Sequence, residues 1–404
     1  MSGVSSPRST GDTRPMTDAT ASWRAWLAVA ALALSAFAIV TTELAPIGLL
    51  SPLATEFGQN ESTTGLVVTA YAWVAALAAL LSATLLGRLP RRPLLVSLMM
   101  LLALSSTAAA LTTHFGTLLG ARMLGAVAHG AFWAMIGTLG AQLVPARRIG
   151  LATAIIFGGV SVASVLGVPL ASLVTQLQGW RSAFTVIAAL SLLSAGALAW
   201  AVPPLPPSPG VGGAALRAIL RQRTFRGIYL ATACAITAHF AAFTFVEPLL
   251  SGALRMDAGV LSPLLLVFGL AGIAGNGIAG RLIDQHLRGL ILLSLVLMSL
   301  CVLALGHLPA GSAVVLVGTL LCGWGASVAI VFVGFQSWIL REAGPAAMPA
   351  SALYVAIFNA AIGTGALLGG LALQWTGMRG LWLLVALAIA GSVIPAARIA
   401  PAHH

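Results

Sequence analysis

Charged residues are scarce in this chain, and lysine is absent altogether. Only 7% of its 404 residues are charged, whereas a globular domain has about 25%. Hydrophobic residues make up 59% of the chain, and the mean hydropathy is +1.02. Such a composition excludes an ordinary soluble domain and predicts a polytopic membrane protein, whose first partner is the lipid bilayer.

The sequence also lacks residue patterns typical of catalysis, metal binding or phosphate binding. The three cysteines, Cys234, Cys301 and Cys322, lie in apolar segments without metal or redox spacing, so we interpret them as small core residues. No nucleophile with a paired base and no phosphate-binding loop is found. The net charge of +11 comes from arginines scattered between apolar segments, with no basic stripe for nucleic acid. We therefore expect no enzyme, no cofactor, no metal, no nucleic-acid partner and no ATP-driven transport.

Long apolar segments recur along the whole chain. A bilayer core requires about 20 apolar residues per helix, and because the backbone in lipid must satisfy its own hydrogen bonds, such segments are helices. This criterion predicts an all-α membrane protein with twelve spans, approximately 25–51, 63–87, 93–113, 115–143, 149–175, 182–202, 226–250, 259–283, 288–308, 311–340, 346–373 and 378–397.

Arginine placement predicts that both termini are cytoplasmic, since arginine is enriched in cytoplasmic loops. With the N-terminus inside, the outer loops hold only Arg181, Arg255 and Arg379. The long Pro- and Gly-rich segment after Val202 then divides the chain six plus six. The predicted parts are an N-terminal tail 1–22, a six-helix bundle 23–202, a cytoplasmic linker 203–225, a second six-helix bundle 226–397 and a tail 398–404.

The two halves repeat each other at an offset of about 200 residues. Gly87-Arg88-Leu89 recurs as Gly280-Arg281-Leu282. Small residues at Gly159 and Gly167 in span 5 are matched in span 11, and such stripes let helices approach closely. The predicted architecture is two pseudo-symmetric six-helix bundles, which is typical of secondary transporters. The predicted packing residues are Gly159, Gly167, Pro169, Gly365 and Gly369.

Ionisable residues inside predicted spans are few, and each costs free energy to bury. They are Glu43, Arg122, His129, His239 and Glu247, and all lie on spans 1, 4 and 7, which would face a shared cavity. Glu43 and Arg122 lie at similar depths, so an ion pair between them is possible. A carboxyl group that alternates between such an ion pair and a desolvated environment can bind and release a proton. The alternative is a static structural ion pair.

Other polar and aromatic residues allow two interpretations each. His129 and His239 could bind a substrate hydroxyl, carry the coupling charge, or simply bond a neighbouring helix. Glu247 could form a gate or face water at the rim. For Asn359 a role in holding helices together is favoured. The candidates for the substrate cavity, which are also ordinary packing or interface residues, are Tyr71, Trp73, Trp133, Gln336, Trp338 and Asn359.

Several stretches resemble one transporter family. They are TTELAPIGLLSPLA (41–54), YAWVAAL (71–77), ARMLGAVAHGAFWA (121–134), VLGVPLA (165–171), GWRSAF (179–184), AHFAAFTFVEP (238–248) and FNAAIGTGALLGG (358–370). From the first span to the twelfth, the chain resembles the drug:proton antiporter branch of the major facilitator superfamily, and within it the sugar efflux transporters. The resemblance implies the major facilitator fold, with Arg122 taking part in proton coupling.

The family's loop motif between spans 2 and 3, G-x-x-x-D-x-x-G-R-R/K, departs from its pattern here. Arg91 stands where the acid should be, and the second-half copy keeps its acid as Asp284. In span 5, Val168 separates Gly167 from Pro169, a spacing found in the sugar-efflux subgroup. The residues assigned to this conformational motif are Gly87, Arg88, Arg91, Arg92, Gly280, Arg281, Asp284 and Arg288.

Together these features predict a monomeric bacterial inner-membrane transporter that exports a sugar or sugar analogue in exchange for protons. The nearest alternative is a multidrug/proton antiporter of the same fold. A non-transporting membrane sensor or assembly protein would require a large soluble domain, and a membrane enzyme would require clustered acids or metal ligands.

Overall fold

A computed structural model of the protein describes residues 23–86, 89–145, 148–205 and 212–399. Across this part of the chain the secondary structure is helical, with no strand. Spans 1 to 6 begin with the helices Trp23–Leu44, Leu66–Leu85, Arg91–Leu111, Phe115–Leu143, Ile149–Gln178 and Trp180–Ala201. Spans 7 to 12 lie in Arg223–Phe243, Ala258–His307, Val314–Ala343 and Ala347–Ala397.

Two of these helices each contain two crossings. Ala258–His307 has 50 residues and non-helical backbone at His286, and Ala347–Ala397 has 51 residues and a break at Gly377. An uninterrupted helix of that length would extend about 75 Å, more than twice the ~30 Å bilayer core. Each break therefore joins two spans, namely 8 with 9 and 11 with 12. The described residues thus contain the twelve crossings that the sequence predicts.

Spans 1 and 7 are interrupted near the same end of the molecule. The first helix, Trp23–Leu44, passes into a 3₁₀ turn, Ala45–Leu49, and then into Leu50–Glu56. Pro46 has no N–H to donate to the carbonyl four residues earlier, which favours the change of helix type. Span 7 bends by 42° before Val246–Ala253. The backbone thus departs from regular helix immediately after Glu43 and immediately before Glu247.

Helices pair in the same order in both halves. Spans 1 and 5, 2 and 4, and 3 and 6 pack together in the first half, and the second half repeats this as 7 with 11, 8 with 10, and 9 with 12. Arg92 bonds the carbonyl of Ala199 between spans 3 and 6, and Arg288 bonds that of Ala397 between spans 9 and 12. The repeated contacts establish the internal pseudo-symmetry of the fold.

The halves meet where span 2 packs on span 11 and span 5 on span 8. Hydrogen bonds join them near one end of the bundle, which carries Glu56 and is called the Glu56 end. They link Ser51 to Glu247, Ser62 to Gly370, Trp73 to Thr364 and Gln176 to Ser262. The opposite end carries Arg341 and is called the Arg341 end.

The predicted bundle boundaries at 23–202 and 226–397 stay predictions. A short helix, Gly213–Arg221, lies within the predicted linker. The N-terminal tail 1–22, residues 206–211 of the linker, and residues 400–404 of the C-terminal tail lie outside the described residues.

Candidate functional site in the membrane-spanning core

Glu43 lies at the end of the first helix, and its side chain keeps 12% of its surface exposed. Its Oε2 atom is 3.8 Å from Nε2 of His129 on span 4. The other carboxylate oxygen, Oε1, is enclosed and has no hydrogen-bond partner among the described residues. The structure therefore brings together two of the ionisable groups that the sequence singled out, on spans 1 and 4.

Arg122 lies two helical turns before His129 on the same face of span 4. Its guanidinium carbon is 4.1 Å from the centre of the Tyr71 ring and 6.0 Å from that of Phe184. Within the described part of the chain, Arg122 makes no ion pair with Glu43 at 4.0 Å or less. The arrangement thus differs from the direct pair that helix depth allowed.

The surroundings of Arg122 place a buried cation against an aromatic face. Its side chain is 1% exposed, and Nε and Nη2 lack hydrogen-bond partners among the described residues. An unpaired buried charge is costly, and a desolvated cation–π contact returns about 2 kcal/mol. Tyr71 also meets the His129 ring edge-on at 5.5 Å. Tyr71 therefore connects the arginine to the Glu43–His129 pair.

Trp133 extends this cluster toward span 5. It lies one turn after His129, with 6.3 Å between the ring centroids. On its other side, the centroid of Phe157 is 6.2 Å away. We call Glu43, Tyr71, Arg122, His129 and Trp133 the Glu43 cluster.

His239 occupies an aromatic setting in the second half and is only 2% exposed. Its Nδ1 accepts a hydrogen bond of 3.1 Å from Nε1 of Trp324. The imidazole stacks on Phe243 at 5.2 Å with 20° between the planes. Phe240 and Phe332 contact it edge-on at 4.8 and 5.6 Å. The structure thus surrounds this histidine with aromatic rings, and no ion pair or ring contact joins it to the Glu43 cluster among the described residues.

Glu247 is buried at the boundary between the halves and is 4% exposed. Its Oε2 accepts a 3.0 Å hydrogen bond from the backbone N–H of Ser51. The hydroxyl of Ser51 in turn donates to Glu61 at 3.4 Å. Glu247 is thus buried and bonded across the boundary between the halves, and its role as a gate stays a prediction.

The remaining cavity candidates are dispersed over spans 2, 10 and 11. Trp73 is 41% exposed, and its Nε1 donates to Thr364 of the other half at 3.3 Å. Asn359 is buried, and its amide donates to the carbonyl of Val355 at 3.0 Å. Gln336 is half-buried, whereas Trp338 is buried.

The loop motif is described mainly in its second copy. Gly87 and Arg88 lie outside the described residues. Asp284 pairs with Arg341 at 2.5 Å, which connects the turn after span 8 to the end of span 10. Arg91 is buried at 5% exposure. Gly280 and Arg281 are exposed.

The predicted packing residues lie at close contacts between helices. A Cβ atom on Gly159 would collide with the backbone of Ala33 on span 1. Gly365 and Gly369 lie against the backbone of span 7 in the corresponding way. Gly167 approaches Thr41, where a Cβ atom would lie 3.4 Å from its Cα. Pro169 is buried within the span 5 helix.

Sequence reasoning did not select the aromatic partners of His239 or the serine that joins the halves. Trp324 and Phe332 are two turns apart on span 10, a spacing that places them on one face and could have indicated a shared neighbour. Phe358 meets Phe332 at 4.9 Å. No group of three or more potential metal ligands occurs among the described residues.

Comparisons with known proteins agree with this architecture. The sequence profile of the Major Facilitator Superfamily matches residues 27–350. A bacterial homologue of the human lysosomal transporter Spinster, in an inward-facing and unoccupied conformation, has a similar structure, with a TM-score of 0.71 and 14% identity over 94% of this chain and 96% of that one.

Two further solved structures are similar over most of their length. The human organic anion transporter MFSD10 gives a TM-score of 0.66 and 18% identity, covering 92% of this chain and 99% of that one. The nucleoside transporter NupG gives 0.71 and 14%, covering 93% and 99%. At these identities the likeness concerns the fold alone.

Proposed function

Because the chain belongs to the Major Facilitator Superfamily, we propose that it exports sugars or sugar analogues from the bacterial cell in exchange for protons. Family and fold make it a secondary membrane transporter. The finer proposal, proton antiport, is carried by one observation, the contact of 3.8 Å between Glu43 and His129 in a core that also holds Arg122.

The Glu43 cluster has features that support proton antiport. Glu43 has one enclosed oxygen without a partner and one oxygen facing His129, while part of the side chain stays exposed. Arg122 favours the ionised carboxylate, and burial favours the protonated one. A change in water access can therefore shift the balance and drive proton uptake or release. The membrane potential adds about 2.3 kcal/mol per charge per 100 mV.

Alternating access would operate across the boundary between the halves. The hydrogen bonds from Ser51 to Glu247 and from Ser62 to Gly370 hold the Glu56 end together. In the predicted orientation, with both termini cytoplasmic, that end faces the periplasm. We propose that the bonds close the outer side while cargo and proton sites communicate with the cytoplasm. One chain contains both halves, so we propose a monomer.

A hydroxylated cargo is supported by the polar atoms of the core. Tyr71 Oη and Asn359 Oδ1 are buried without hydrogen-bond partners among the described residues. Buried polar atoms normally have partners, and a sugar carries several hydroxyl groups that both donate and accept. The aromatic rings nearby can pack on the apolar face of a sugar ring.

A multidrug antiporter is the second candidate, and the setting of His239 favours it. Its ring is surrounded by Phe240, Phe243, Trp324 and Phe332. Such a surface also suits a flat apolar compound. MFSD10 and NupG, described above as organic anion and nucleoside transporters, illustrate that this fold accepts other cargo classes.

Export from loaded cells tests both candidates. Cells preloaded with labelled arabinose, lactose or a thiogalactoside should lose the label faster when they express the protein, and an uncoupler should abolish the difference. Uncoupler-resistant export would contradict proton antiport. Protection against hydrophobic cations without sugar export would favour the multidrug alternative.

A further inference from the structure

The hydrogen bond between Trp324 and His239 has a defined direction. We propose that His239 is a fixed hydrogen-bond donor for the cargo, held in one neutral tautomer by Trp324, and that it does not carry the coupling proton. The assignment rests on the proposed function, because it concerns the cargo site of the same transporter. It gives the two core histidines different roles.

The tautomer follows from the chemistry of the two rings. An indole N–H can only donate, so Nδ1 of His239 must accept the 3.1 Å bond and carry no hydrogen. A neutral imidazole then has its proton on Nε2. Protonation of both nitrogens would place two N–H donors against each other and break the bond. Trp324 is fully buried, so water does not replace it readily.

The neighbours of His239 provide no charge that would stabilise an imidazolium. The rings packed on it belong to Phe240 and Phe243 of span 7 and to Trp324 and Phe332 of span 10. None of these side chains titrates, and no carboxylate pairs with His239 among the described residues. His129, in contrast, lies 3.8 Å from the carboxylate of Glu43.

The remaining polar atom of His239 is its Nε2–H. Within the described residues the His239 side chain makes no other hydrogen bond. Its Nε2 atom is also not completely enclosed by protein atoms. A single donor bordered by aromatic rings suits an acceptor oxygen on a ring with an apolar face. A sugar presents that combination, with C–H groups against Phe332 and an ether or hydroxyl oxygen toward Nε2.

Three variants distinguish the effect of the Nε2–H donor from that of the aromatic ring and from that of the Trp324 hydrogen bond. His239→Phe removes both nitrogens, and His239→Gln keeps an amide N–H near the position of Nε2. Trp324→Phe removes the indole N–H that bonds Nδ1 but keeps an aromatic ring. Loss of one neutral hydrogen bond, about 1 kcal/mol, corresponds to about a fivefold effect. In proteoliposomes we expect His239→Phe to raise KM for labelled arabinose about fivefold or more, and His239→Gln to raise it less.

The pH dependence of transport decides between cargo binding and proton coupling. We expect His239→Phe and His239→Gln to leave the pH profile and the number of protons moved per sugar as in the parent. A shifted profile or a lower proton count in His239→Gln would overturn the inference and leave sugar/proton antiport intact. Equal KM values for His239→Phe and the parent would overturn it as well.

A spectroscopic measurement keeps the tautomer testable whatever the cargo is. Protein labelled with ¹⁵N-histidine, compared with His239→Phe, gives a difference spectrum for this residue alone. We expect an unprotonated Nδ1 and a protonated Nε2 in the parent from pH 5 to 8, and mixed tautomers in Trp324→Phe. A doubly protonated ring in the parent would refute the proposal that Trp324 holds His239 in one neutral tautomer. Failure to transport any sugar with the tautomer intact would refute the proposed function instead.

Discussion

Oε2 of Glu43 lies 3.8 Å from Nε2 of His129, and this contact joins span 1 to span 4 inside the first half of the transporter. The acid is the last residue but one of its helix, just before the 3₁₀ turn that contains Pro46. A change in that turn would therefore move the carboxylate relative to His129. The proposed proton binding would therefore be coupled to helix geometry at this position.

Tyr71 should stabilise the buried Arg122 through its ring rather than its hydroxyl. The guanidinium lies 4.1 Å from the ring centre, and the Tyr71 hydroxyl has no hydrogen-bond partner among the described residues. We expect Tyr71→Leu to lower the unfolding free energy by about 2 kcal/mol relative to Tyr71→Phe. Thermal unfolding in detergent measures the difference, and equal melting temperatures for the two variants would contradict the contact.

Glu247 should control closure at the Glu56 end. Glu247→Leu removes the acceptor for the Ser51 N–H, whereas Glu247→Gln retains a carbonyl acceptor. The Ser51 N–H is partly buried, and a buried donor without a partner costs up to about 1–3 kcal/mol. We therefore expect the leucine variant to open this end.

Distances between spin labels at the exposed positions Gln59 and Asp257, in a chain without native cysteines, measure that opening. We expect longer distances in Glu247→Leu than in Glu247→Gln. Glu61→Gln is the matched control, since Glu61 contacts Ser51 from the same half. An unchanged distance distribution in Glu247→Leu would show that the bond does not hold the halves together.

Asp284 and Arg341 should contribute little to stability despite their short contact. Asp284 is 84% exposed and Arg341 39% exposed, and exposed ion pairs contribute about 0–1 kcal/mol. We expect Asp284→Asn to change the unfolding free energy by less than about 1 kcal/mol and yet to slow transport, if the loop motif acts on the conformational cycle. A stability loss of several kcal/mol with normal transport would reverse this interpretation.

Gly363 should be required for the approach of spans 2 and 11. An added Cβ atom would lie 2.5 Å from Cδ1 of Trp73 and 2.9 Å from the carbonyl of Thr69. Overpacking of this kind costs about 1–3 kcal/mol, so Gly363→Ala should lower the melting temperature. Gly277→Ala is the control, because beyond its own helix backbone no described atom lies within 4 Å of its added Cβ. Equal melting temperatures for the two variants would contradict the close contact.

Sequence patterns predicted the fold well because the bilayer constrains it strongly. The lengths of the apolar segments predicted the twelve crossings, including the two that share the long helix Ala347–Ala397. The resemblance to the major facilitator superfamily is confirmed by the profile match over residues 27–350. The drug:proton antiporter branch and the sugar efflux family stay predictions.

The candidate site was less accessible from the sequence, because depth along a helix does not determine rotation about its axis. Their similar depths along the helices predicted that Glu43 lies near Arg122. In the structure the guanidinium packs on the Tyr71 ring, and His129 contacts the carboxylate. The contact between His239 and Trp324 joins residues 85 positions apart. Such contacts depend on tertiary packing, which hydropathy and spacing do not encode.

Proton flux through proteoliposomes that contain Glu43→Gln shows whether Glu43 carries the coupling proton. Internal pH is recorded together with the exchange of labelled arabinose across the membrane. We expect the parent to move protons opposite to the sugar. We expect the variant to exchange sugar still, but to move no protons and to show no response to an imposed pH gradient. Proton movement and acceleration by the gradient equal to those of the parent would contradict this role of Glu43.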